Sequence, residues 1–164
     1  MNARDEILAA IRRAAVPPSP PAVPVACPPV GGPLLDCFMD MLQRVGGHGV
    51  VRHPDQSLHD IATGLSQSGA VSTMVRGRFA VAENGSVYVD AADLGARTDI
   101  VDAEHLVIVV PVANVVATMH EAVRQIPPGS RCGWFLSGPS KTADIEQSLV
   151  VGAQGARTLL VIFE

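Results

Sequence analysis

The run "HLVIVVP", from His105 to Pro111, limits the fold more than any other feature. Five consecutive aliphatic residues without alternation leave no polar face for water. A strand of that kind is buried on both sides, as in a parallel sheet covered by helices. The apolar stretch is far too short to cross a bilayer, so no membrane span is expected from it. The last strand, "RTLLVIFE", has the same character.

Segments of other periodicity surround these runs. "LLDCFMDMLQRVGG" places Leu35, Phe38, Met39 and Leu42 at helical spacing and stops at Gly46–Gly47. "GVVRH" reads as a short strand, "DQSLHDIATGLSQSG" as a helix and "AVSTMV" as a strand. "RFAVAENGSVYVD" alternates about Asn84–Gly85, which predicts a hairpin with a tight type I′ turn. "VANVVATMHEAVRQI" reads as a helix with Val112, Val115, Val116, Met119 and Val123 inward. "RCGWFLSG" is then a strand and "TADIEQSLVVG" a helix. Strand–helix alternation with short connections predicts an α/β fold. Its sheet is mostly parallel, flanked by helices and mixed through the upstream hairpin.

The N-terminal part differs. "NARDEILAAIRRAA" is an amphipathic helix expected to pack on the domain, and eight prolines between Val16 and Pro33 forbid regular pairing. Residues 1–33 therefore form a helix and a proline-rich linker, and 34–164 the domain. No apolar leader is evident at the N-terminus. With 48% hydrophobic and 4% aromatic residues, the core must be aliphatic. A net charge of −4 offers no general attraction to nucleic acid or anionic lipid. Cys27, Cys37 and Cys132 are scattered and lack a CxxC spacing, so free thiols in a reducing cytoplasm are expected. His48, His53 and His59 lack ligand spacing, and no metal site is expected.

Chemistry concentrates in "FLSGPSKTADIEQ". A Walker A loop would need glycines where Phe135 and Ser140 stand, which excludes a P-loop. Two readings remain. The strand–loop–helix position favours an anion site, with Ser137, Gly138, Ser140, Lys141, Thr142 and Asp144 as ligand-binding candidates. The plainer reading has Ser140 or Thr142 capping a helix whose dipole Asp144 and Glu146 complement. "AENG" likewise offers either a plain turn or a carboxylate, Glu83, presented for acyl attack. His105, leading its strand, is a candidate acid–base group.

The run Gly138-Pro139-Ser140-Lys141-Thr142-Ala143-Asp144-Ile145-Glu146 resembles the C-terminal signature of the lactate utilization protein C family, the stand-alone LUD-domain proteins. "AENG" resembles that family's AE-[TN]-G turn, and "HLVIVVP" its central strand. Gln154, Gly155 and Ala156 stand where the family usually has His-Gly-Pro, and the chain is short between Ser57 and Glu83. The resemblance implies a fold similar to sugar-phosphate isomerases and CoA transferases. It also implies a part in oxidising L-lactate to pyruvate alongside iron–sulfur subunits. The clusters would sit on those partners, and this chain would bind a small carboxylate or anionic ligand and no cofactor. A rival reading follows from type I CoA transferases, whose nucleophilic E-x-G turn Glu83-Asn84-Gly85 resembles. It implies an independent enzyme with CoA-transferase-like or phosphosugar chemistry.

Overall fold

The computed structural model describes residues 3–14, 31–65, 72–142 and 150–164. Its centre is a parallel sheet of four strands: β1 (His48–Val51), β2 (Ser72–Arg76), β5 (His105–Val110) and β10 (Thr158–Phe163). Their order is β1-β10-β5-β2. The unbroken apolar runs occupy the two middle positions, as double-sided burial requires. Leu106, Ile108, Val110, Leu159, Val161 and Phe163 enter one core, while Val107, Val109, Leu160 and Ile162 enter another. Helix α3 (Leu58–Leu65) covers the second face through Leu58, Ile61 and Ala62.

A second sheet closes the first face. It runs β6-β3-β4-β7, from β3 (Phe79–Val81), β4 (Ser86–Asp90), β6 (Val115–Val116) and β7 (Gly133–Leu136). Ala80, Val87 and Val89 meet the parallel sheet, together with Phe38 and Leu42 of α2 (Leu34–Arg44). Phe79, Val81 and Tyr88 point the other way, against Met119 and Ala122 of α4 (Met119–Gln125). Gly77 lies where the sheets converge: a Cβ there would approach Val87, Val110 and Ile108 side chains to 2.4–2.9 Å.

The structure differs from the sequence expectation at several points. The hairpin belongs to a separate sheet, so the parallel sheet is not mixed. Its connection is the four residues Ala82–Gly85 rather than a two-residue turn, with β3 and β4 paired at Val81–Ser86. The helix expected from Val112 starts only at Met119. Val115 and Val116, whose branching suits a strand, pair in parallel with β3. Val112 and Val123 are exposed. Finally, no helix begins at Ser140–Thr142. Lys141–Thr142 form β8, paired antiparallel with β9 (Val150–Val151), and residues between them lie outside the described set.

The N-terminal helix α1 (Ala3–Arg13) forms as expected but buries no residue; Ile7 and Ile11 are 60% and 61% exposed. The proline-rich segment lies largely outside the described residues. No helix among them is long and apolar enough to cross a membrane.

Candidate functional site

Both sequence motifs are turns docked on the end of α2. Gly85 has φ +66°, and a Cβ on it would lie 2.6 Å from the Leu42 amide nitrogen. Gly138 has φ +74°, and a Cβ there would lie 2.4 Å from the Val45 carbonyl oxygen. Only glycine tolerates both the left-handed backbone and that approach. The Ser137 hydroxyl donates to the Asn84 carbonyl at 2.9 Å, tying one motif to the other. Lys141 Nζ donates to the Val45 carbonyl at 2.6 Å, placing a cation against the negative end of α2.

Behind these turns lies a cavity of about 400 Å³. Ser137, Gly138, Ser140, Lys141 and Thr142 all line it, so five of the six ligand-binding candidates meet in one place. Asp144, the sixth, lies outside the described residues. Ile100, Leu106, Trp134 and Leu159 supply an apolar wall, and Gln154–Ala156 close another side. The Ser140 amide donates to Ala156 and its carbonyl accepts from Gly152, at 2.8 and 2.9 Å. These bonds hold Ser140 on an extended path. Lys141–Thr142 are extended, so no helix starts at Ser140–Thr142 themselves, and among the described residues the groups that could attract an anion here are Lys141 and the hydroxyls. The size and mixed lining are those of a small-molecule site.

Glu83 and His105 lie outside this lining. The exposed Glu83 carboxylate accepts the Met119 amide at 2.8 Å, at the start of α4. His105 stands at the amino end of β5, where Nδ1 lies 2.6 Å from Thr158 Oγ1. Its Nε2 is buried without a hydrogen-bond partner among the described residues. Nor do these residues contain a group of three or more metal-ligating side chains.

Sequence reasoning missed a second polar cluster. Arg78 grips Asp93 through Nε and Nη2 at 2.6 and 3.2 Å, and its Nη2 lies 3.8 Å from Asp90. The hydrogen bond to Asp93 raises the Arg78 pKa further, against the opposing effect of burial. Asp90 is only 2% exposed. The Ala92 amide, then Ser130, hold its carboxyl below the usual range despite burial. The available signal was an acid closing an otherwise apolar strand in "SVYVD", but an aspartate there also reads as a cap for the turn that follows.

A family model described as LUD domain matches residues 72–163, more than half the chain and nearly all of both sheets. Lactate utilization protein C of Shouchella clausii is 36% identical over 81 residues, covering 46% of this chain and 35% of the relative. Lactate utilization protein C 1 of Bacillus mycoides is 34% identical over 92 residues, covering 51% and 39% respectively. The aligned part is thus well under half the length of either relative. A crystal structure of a DUF162 family protein from Deinococcus radiodurans shares the fold. Its TM-score is 0.55 at 18% identity, over 79% of this chain and 95% of that one. With its parallel sheet, packed second sheet and matched segment, the chain belongs to the LUD domain family.

Proposed function

We propose that this chain serves L-lactate utilisation, working with iron–sulfur partner proteins in the oxidation of lactate to pyruvate. In this reading the cavity behind Gly138 holds a small carboxylate or other anionic ligand. The observation that carries it is the convergence of Ser137, Ser140, Lys141 and Thr142 on one cavity inside the matched segment. The names of the two relatives supply the lactate context. Oxidising lactate releases two electrons. The widely spaced cysteines of this chain offer no local cluster motif, so the electrons are assigned to carriers on the partners.

The rival reading makes Glu83 a nucleophile toward acyl-CoA. Its carboxylate would first have to release the Met119 amide.

Purified chain, L-lactate and an artificial electron acceptor should give no turnover. Co-expression with the iron–sulfur partners should yield a complex that does turn over. Lactate oxidation by the isolated, metal-free chain would sink the proposal. Ligand binding is read separately, by thermal shift with L-lactate and pyruvate. Lys141→Met should abolish the shift while unfolding remains cooperative. A covalent adduct on Glu83 after incubation with acyl-CoA, absent in Glu83→Gln, would favour the rival.

A further inference from the structure

The cavity behind Gly138 has more room than a three-carbon acid needs. Its volume is about 400 Å³. At roughly 30 Å³ of liquid volume per water, that is space for on the order of a dozen water-sized groups. Lactate or pyruvate supplies only about half that number of non-hydrogen atoms. Either would fill one end and leave the rest to solvent.

The lining shows what suits the remainder. Its most buried members are apolar: Leu159, Leu106, Ile100 and Ala156 are 1%, 3%, 7% and 7% exposed. Leu106 and Leu159 are paired across β5 and β10, so both side chains emerge on the same face of the parallel sheet. Trp134 packs against that cluster and lines the cavity too. Val101 lines it while 55% exposed, which carries the apolar surface out to the rim.

The polar lining is small and partly engaged. The Ser137 hydroxyl donates to the Asn84 carbonyl. The Lys141 ammonium has three donors, of which the Val45 carbonyl takes one. Two ammonium donors and the Ser140 and Thr142 hydroxyls remain, enough for one carboxylate. Lys141 is the single cationic residue in the described lining, so a second carboxylate would sit against aliphatic side chains with no partner.

We propose that this cavity selects monocarboxylates with an extended apolar body, of about six to eight carbons, over three-carbon acids. The carboxylate meets Lys141 and the hydroxyls, and the body lies along Trp134, Leu106, Leu159 and Val101. The inference rests on the reading that this cavity takes a carboxylate, and it names which carboxylates.

Trp134 is the only tryptophan in the chain, so its emission reports occupancy of this cavity. The probes are butanoate, hexanoate, octanoate, L-lactate, octanedioate and octan-1-ol. Each methylene fully buried should tighten binding about three- to fourfold. Octanoate should therefore exceed both butanoate and L-lactate by at least about tenfold. Octanedioate, with a charge at each end, and octan-1-ol, with none, should each bind at least about tenfold more weakly than octanoate. Val101→Asn should weaken octanoate about threefold or more, with urea unfolding unchanged because the side chain is exposed. If L-lactate binds as tightly as octanoate and is lost in Lys141→Met, this inference fails and the carboxylate reading stands. Octanedioate matching octanoate, or octanoate affinity unchanged in Val101→Asn, also overturns this inference alone. Octan-1-ol matching octanoate overturns both, as does the absence of a saturable change with every probe up to about 10 mM.

Discussion

Gly138 and Lys141 hold the signature loop on the carboxyl end of α2, and each has a separable energetic role. Alanine at 138 would add a Cβ 2.4 Å from the Val45 carbonyl at a backbone angle of φ +74°. Strain at positive φ alone costs about 1–2 kcal/mol. Gly138→Ala should therefore lower unfolding stability by about 2 kcal/mol or more, measured by urea titration. Loss of the Lys141 contact with the helix end should cost less, about 0.3–1 kcal/mol. Asp90 carries a pH signature. Its folded carboxyl titrates below the ordinary value of about 3.9. The stability it contributes is then fully present above that value and lost as pH falls through the folded one. As pH falls below about 4, the wild-type chain should lose stability more steeply than Asp90→Asn. Parallel acid-unfolding curves would contradict this.

Among the elements, α2 is the keystone. Phe38 and Leu42 are fully buried, and the Phe38 ring meets Phe163 edge-on at 5.2 Å. Phe38→Ala should cost about 3–5 kcal/mol, read as a drop in the urea midpoint with an unchanged slope. This helix was legible because its apolar spacing agrees with its propensity and its glycine stop. The strands β5 and β10 were legible because an unbroken aliphatic run has few other places to go. The failures share a cause. At "VANVV" and at Lys141–Thr142 the local pattern accepts a helix, but backbone partners elsewhere in the chain decided otherwise, while Ala143 to Leu149 lie outside the described residues. Val115–Val116 pair with β3, and the Ser140 backbone is held by Ala156 and Gly152. A similar limit applied to the sites. The cavity behind Gly138 could be anticipated because its polar wall is one continuous segment. The polar cluster of Arg78, Asp90 and Ser130 draws on three separate segments, none of which is distinctive alone.

Across the whole molecule, stability is unevenly distributed, and the sheet order predicts how. Strands β10 and β5 each have a hydrogen-bonded neighbour on both sides and packed layers on both faces. Strands β1 and β2 are edges. Arg52 and Arg76 reach across from them to the two oxygens of Glu164, at 3.1 and 3.2 Å. These partly exposed ion pairs are worth only about 0–1 kcal/mol each. The pair β8–β9 has two residues per strand, and Val150 and Val151 are 37% and 42% exposed. Local opening costs least where few apolar contacts must be broken. In native-state hydrogen exchange, amides of Ile108, Val109, Val161 and Ile162 should therefore exchange only through global unfolding, with the full denaturant dependence. The ladder amides of β8 and β9 should exchange by local opening, with almost none. A ligand seated behind Gly138 would contact β8 directly, so it should slow the β8–β9 amides at concentrations that leave those of β5 and β10 governed by global stability. Equal protection of both sets without ligand would mean that the β8–β9 lip opens only with the core, and that the cavity wall is as fixed as the sheet behind it.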